Sequence, residues 1–198
     1  MINFIGAATR LVADDIARAA KALECEEAVV RAVIKVESGG AGFLSDGRPK
    51  ILFEAHLFAK LTKGRHNSSH PDISSAEWNR ALYQGGRAEY DRLARAMALD
   101  EGAALQAASW GMFQILGLNH ARCGFATAHD FVAAMVEGEG RQLDAFVAFV
   151  KANARLWDAA INRDWAAFAR WYNGPAYAQN KYDQKLAAAY EAAVTATA

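Results

Sequence analysis

Glu37 stands where an apolar run, Val29, Val30, Val33, Ile34 and Val36, gives way to Ser38-Gly39-Gly40. Apolar spacings of three and four predict a helix from about Glu26 to Glu37, ended by the small residues that follow. Glu37 lies one turn beyond Val33 and three residues beyond Ile34, which assigns it to the same inward face. A carboxyl at the wall of a cleft, partly removed from water, favours its protonated form and suits general acid chemistry. The competing reading is a solvated helix-terminal glutamate. Negative charge at a helix C-terminus is electrostatically disfavoured, so the placement asks for a reason.

Glu54 and His56 sit among Ile51, Leu52, Phe53, Leu57 and Phe58, and a buried carboxylate needs partners. Glu54 is read either as a group that orients water or Glu37, or as half of an ion pair with Arg48 or Lys50. In Ser109-Trp110-Gly111-Met112-Phe113-Gln114-Ile115, Ser109 is read as a helix cap and Gly111 as a point of close backbone approach. Gln114 is an amide able to donate to and accept from sugar hydroxyls or amides. Trp171-Tyr172-Asn173-Gly174-Pro175 joins aromatic faces to an amide at a turn, as a sugar site needs, although a helix end with core aromatics has much the same composition. His66-x-x-x-His70 with Asp72 offers zinc-ligand atom types, but Ser68-Ser69-His70-Pro71 does not read as a regular helix. Trp110 and Trp171 have the better context as ligand platforms, Trp157 and Trp165 read as packing residues, and Cys25 and Cys123 read as small core residues.

Helices must carry these groups. Periodicity predicts them from Arg10 to Leu23, Ala88 to Ala98, Phe131 to Met135, Gly140 to Val150, Ala166 to Trp171 and Gln179 to Val194, with a further start at Ser75-Ala-Glu-Trp78. Lys63 to Ser75 reads as an exposed loop. Asp46-Gly47 is a hairpin turn, and Lys50 to Glu54 supplies a short strand of what is expected to be a single sheet. A chain of 198 residues that is 53% hydrophobic can bury about 70% of its unfolded surface, which matches one domain. Lys+Arg 22 balance Asp+Glu 22, so no global field draws the chain to nucleic acid or an anionic membrane. Two cysteines make neither a disulfide framework nor a cysteine zinc site. No signal-peptide pattern opens the sequence, and no run approaches the roughly 18 apolar residues of a membrane span.

Together the segments around Glu37, Gln114 and Tyr172 resemble the Glu-Ser, Gly-x-x-Gln and Tyr-Asn-Gly landmarks of the lysozyme superfamily, especially goose-type lysozymes and lytic transglycosylases. Over Val36 to Phe43, Gly47 to His56, Ala108 to Gly117 and Trp171 to Tyr177, the chain is similar to the N-acetylmuramidase domain of phage endolysins and related bacterial proteins. The likeness continues through Phe131 to Met135, Gln142 to Phe146 and Asn180 to Tyr190 and so covers most of the chain.

The resemblance implies a mainly α, lysozyme-like fold with a small β-hairpin near residues 42–54, and one catalytic domain over residues 1–198 without a separate wall-binding domain. It implies cleavage of the β-1,4 bond between N-acetylmuramic acid and N-acetylglucosamine, with no cofactor and no metal. Glu37 is then the acid, and Ser109, Gln114, Trp171, Tyr172 and Asn173 line the sugar cleft. Glu54 is the first choice of second carboxylate and Asp46 the alternative. The rival readings are a lytic transglycosylase, whose muramyl 6-hydroxyl attacks internally, and a peptidoglycan-binding module without turnover. The expected partner is peptidoglycan glycan, with no nucleic acid and no stable membrane insertion. A monomer is favoured, made in the cytoplasm without a signal peptide and acting on the wall after release, with help from a separate membrane-opening protein.

Overall fold

The structure, a computed structural model, describes residues 3–38 and 41–197. Helix α1 (Ala13–Leu23) turns through a left-handed Glu24 into α2 (Glu27–Ser38). Strand β1 (Ile51–Phe53) leads directly into α3 (Ala55–Leu61), and α4 (Ala88–Leu99) and α5 (Glu101–Gln106) follow. Strands β2 (Ala108–Trp110) and β3 (Ile115–Leu116) come next. The chain then continues through α6 (Ala128–Glu137), α7 (Glu139–Lys151), α8 (Ala154–Asn162), α9 (Trp165–Tyr172) and α10 (Tyr182–Thr197). Four of the helices start at polar caps: Asp100, Thr127, Asn153 and Asp164 accept from backbone N–H groups of the first turns of α5, α6, α8 and α9.

The mainly helical expectation holds, with differences that have physical causes. The 42–54 segment does fold back on itself, with Phe43 bridged to Pro49 across the Asp46-Gly47 turn. Strand β1, however, pairs with β2 in antiparallel register, Leu52 opposite Ser109, and β2 pairs with β3. Ser109 therefore caps no helix; it is mid-strand, and its hydroxyl donates to the Gln114 side chain at 2.9 Å. Ser75 to Trp78 opens no helix either, because the Ser75 hydroxyl donates to the Glu77 carbonyl, and a short 3-10 turn, Arg80–Leu82, begins only after the Asn79 cap. Lys63 to Ser75 is a chain of turns rather than a wholly exposed loop, since Ile73 and Ser74 are fully buried.

The core is continuous from α1 and α2 to α9 and α10. Its aromatic centre positions the site: Phe113 stacks on Phe146 at 4.4 Å between centroids, and the Tyr172 ring packs against both Phe146 and Phe168. Leu186, fully buried on α10, joins the same core, and α10 packs along α2. A buried ion pair secures the far end of β1. Glu89, fully buried, accepts from the Phe53, Gln84 and Gly85 N–H groups and from Arg92 at 2.8 Å, while Arg92 donates to the Phe53 carbonyl.

Candidate active site

Glu37 lies in the last turn of α2 and is half-buried. Burial pushes its carboxyl pKa above the ordinary value, opposed by a hydrogen bond from Asn173 and by the charge of Lys185. The Asn173 Nδ2 group donates to both carboxyl oxygens, at 3.1 and 3.3 Å. Asn173 caps α9 at its C-terminus, and its own N–H bonds the Ala169 carbonyl, so its place is fixed by the helix. Its Oδ1 is buried and has no hydrogen-bond partner among the described residues. Next to it, the Tyr172 hydroxyl donates to the Phe113 carbonyl at 2.9 Å, tying the end of α9 to the β2–β3 turn. Its phenol is held protonated, first by burial and then by the nearby Glu37 charge.

The β2–β3 turn is held without freedom. Gly111 has φ +69°, and a Cβ there would fall 2.6 Å from the Gln142 Cδ. Gln142, 1% exposed, accepts from the Met112 N–H at 2.7 Å and donates to the Met135 carbonyl at 2.8 Å. Gly42, just after α2, approaches the same amide so closely that a Cβ would fall 2.1 Å from Gln142 Oε1. Gln142 thus clasps the segment following Glu37 against the turn that anchors Tyr172. Glu139, one helical turn earlier, accepts from the Gly42 and Leu11 N–H groups and from Arg10, tying down the same segment.

Gln114 is brought to this site with φ +49°, an unusual conformation for a non-glycine residue that costs about 1–2 kcal/mol. Its own side chain holds it there: Nε2 donates to the Gly111 and Lys50 carbonyls while Oε1 accepts from Ser109. Lys50, Leu52 and Glu54 alternate with buried Ile51 and Phe53, so they share the half-exposed face of β1. One end of this floor reaches the residue after Glu37, where Lys50 Nζ lies 3.5 Å from the Ser38 carbonyl.

Glu54 stands at the other end. It pairs with neither Arg48 nor Lys50: Tyr83 donates its hydroxyl to Glu54 Oε2 at 2.6 Å, and His56 Nδ1 lies at 3.3 Å. The exposed Trp78 indole donates to the Tyr83 oxygen at 2.8 Å, and burial together with the Glu54 bond raises the Tyr83 hydroxyl pKa to about 12. Asp46 is engaged by Arg48 and Arg87, and the Arg48 hydrogen bonds hold its carboxyl below the ordinary range.

The remaining candidates separate. Trp110 is 1% exposed and gives its indole N–H to the Leu105 carbonyl, so it packs the core and is no ligand platform. Trp171 is 41% exposed, with the Arg155 guanidinium over its ring. His66 stacks on Phe58, and Asp72 is bound to Arg95. Among the described residues, no three His, Cys, Asp or Glu side chains converge as a metal-holding group. Trp157 donates to the Leu23 carbonyl, and burial raises the thiol pKa of Cys25 to about 11 and of Cys123 to about 12. Gln142, Glu139, Tyr83 and Lys185 had no assigned part in the sequence reading; a polar residue inside the apolar period of α7 was the available signal for Gln142.

A small sheet packed among helices, with a carboxyl at a helix end facing an Asn-bearing helix terminus, is the arrangement that the likeness to lysozyme-type glycosidases implies. The family comparison agrees: the N-acetylmuramidase model matches residues 26–194, and the chain belongs to that family. It is a peptidoglycan-hydrolysing glycoside hydrolase of the muramidase type. The crystal structure of a Burkholderia AP3 phage endolysin is similar over 96% of this chain and 72% of that one, with 43% identity and a TM-score of 0.89. No curated protein sequence matches significantly. No helix among the described residues is long and apolar enough to cross a membrane.

Proposed function

We propose that Glu37 is the general acid that cleaves the β-1,4 bond between N-acetylmuramic acid and N-acetylglucosamine. The observation that carries this is a half-buried carboxyl, raised in pKa by burial, held in place by Asn173. Protonated Glu37 gives its proton to the glycosidic oxygen as the bond to the muramyl C1 breaks and positive charge develops on the sugar. Water adds to C1, leaving a reducing muramyl end and a free 4-hydroxyl on the glucosamine.

Glu54 is the carboxylate we assign to that water. It lies at the opposite end of the β1 face from Lys50. Tyr83 and His56 fix one Glu54 oxygen and orient the other. Asp46, already bound by two arginines, is the weaker candidate. Ser109 and Gln114 on the floor, with Trp171, Tyr172 and Asn173 at the end of α9, form the walls of the sugar cleft. The orphan Asn173 Oδ1 is an acceptor for a substrate N–H or O–H.

The likeness to a phage endolysin supports an endolysin role. We extend this to a monomer that reaches the wall after release from the cytoplasm, aided by a separate membrane-opening protein. Glu37→Gln keeps the size and the Asn173 hydrogen bond but cannot supply the proton. It should lower the rate of peptidoglycan cleavage about 10²–10⁴-fold with the fold intact by circular dichroism. A tenfold loss or less would remove Glu37 from the acid role.

A further inference from the structure

One side of α2, the segment at Arg10-Leu11 and the length of α10 line an open groove of about 1110 Å³. Its surface is mostly apolar, from Leu11, Ile34, Ala188 and Ala192, and its rim carries Arg10, Arg31, Lys35 and Lys185. Among the described residues the one carboxylate in the lining, Glu139, is 3% exposed and is consumed by Arg10 and by two backbone N–H groups. Arg31 is tied to Glu27, but its Nε is buried with no hydrogen-bond partner among the described residues. Lys35 has no acidic hydrogen-bond or ion-pair partner among the described residues; Lys185 makes no close ion pair among them, its charge acting on the Glu37 carboxyl and its ammonium lying over the Tyr182 ring. Of the four cations on the rim, Arg10 and Arg31 are paired with carboxylates, so Lys35 and Lys185 leave the apolar groove with an excess of positive charge.

The groove is continuous with the site. Val36 and Ala41 line it and bracket Glu37 in sequence, and Lys185 lines it while also acting on the Glu37 carboxyl. From Val36 to Arg31 it follows α2 for about 7.5 Å away from the acid. An occupant must be anionic, slender and weakly apolar, and must start beside the sugar whose bond is cut. In peptidoglycan the lactyl ether of N-acetylmuramic acid carries such a group: a short peptide with free carboxylates. We propose that the α2–α10 groove binds the acidic stem peptide of the muramyl residue at the scissile bond. This rests on the muramidase reading of Glu37. It would make the enzyme selective for peptide-bearing glycan over bare glycan, through contacts that lie outside the sugar cleft.

The test compares kcat/KM on soluble glycan strands bearing stem peptides with kcat/KM on the same strands after an amidase has removed them. The wild-type ratio should exceed about fivefold, the upper end for one exposed ion pair, and should fall as salt screens it. Lys35→Glu should reduce the ratio by about fivefold or more. Ala192→Trp, which fills the groove and leaves every charge in place, should reduce it as well. A wild-type ratio near one, or a ratio that neither variant moves, overturns the proposal. Tight binding of phosphatidylglycerol vesicles that is lost in Lys35→Glu, with the peptide ratio unmoved, would assign the groove to a lipid surface and overturn it too. Failure of the wild type to cut either substrate would instead bring down the muramidase reading beneath it.

Discussion

Replacing Gln142 with Leu tests whether one buried amide holds the site together. The substitution nearly conserves volume, so the cost comes from two stranded groups, the Met112 N–H and the Met135 carbonyl, which Gln142 meets at 2.7 and 2.8 Å. Each unsatisfied buried group costs about 1–3 kcal/mol, so the pair sums to about 2–6 kcal/mol of folding stability. The midpoint of urea unfolding should fall accordingly at an unchanged slope. Activity should fall at denaturant concentrations well below that midpoint, because the same amide fixes the turn whose Phe113 carbonyl receives Tyr172. In Gln142→Glu the protonated side chain serves both partners and the ionised one does not, so its deficit should shrink as pH falls. A loss under about 1 kcal/mol in Gln142→Leu, with native kinetics, would refute the reasoning.

Two further perturbations read charge. Asn173→Ala removes a hydrogen bond that lowers the Glu37 pKa, so the carboxyl should stay protonated to higher pH and the alkaline limb of kcat/KM should move upward; an unmoved or lowered limb contradicts the assignment. Burial raises the Glu89 pKa, but the N–H groups of Gly85, Gln84 and Phe53, with Arg92, outweigh it and hold the carboxyl below its ordinary value. A depressed folded pKa contributes stability that is present above the unfolded pKa and lost as pH falls through the folded one. Thermal unfolding should therefore show an acid-side loss of stability that Glu89→Gln reduces. The variant itself should be about 3–5 kcal/mol less stable at neutral pH, because it leaves Arg92 buried without its partner. An acid limb of undiminished size in the variant would place the titrating group elsewhere.

Local pattern carried most of the helices and the place of Glu37 at the end of one of them. The apolar spacing before Glu37, and the helix–turn signal at Trp171-Tyr172-Asn173-Gly174, are properties of single segments, and α2 and α9 follow them to within a residue or two. Sheet partners are not local. Nothing within residues 51–53 says that they pair with 108–110, and a serine between apolar stretches such as Ser109 suits a helix cap and a strand equally. Trp110 had the right neighbours for a ligand platform, but burial is decided by the far side of the fold, where Phe4 stacks on it. Glu54 failed to pair with its sequence neighbours for a similar reason: its partner Tyr83 lies 29 positions away, on a segment whose own helix start does not form. The clasp at Gln142 needed three distant backbones to converge, so a glutamine inside an apolar helix was its sole trace.

The central claim is that this site hydrolyses the muramyl bond with water, using the Glu37 proton. It is tested most directly by digesting purified peptidoglycan with the wild type and with Glu37→Gln and determining the masses of the new ends. Reducing muramyl ends from the wild type, and none above background from the variant, are the predicted result. Fragments lighter by one water with 1,6-anhydromuramyl ends would show internal attack by the 6-hydroxyl and remove Glu54 as a base. Undiminished cleavage by Glu37→Gln would contradict the account at its root.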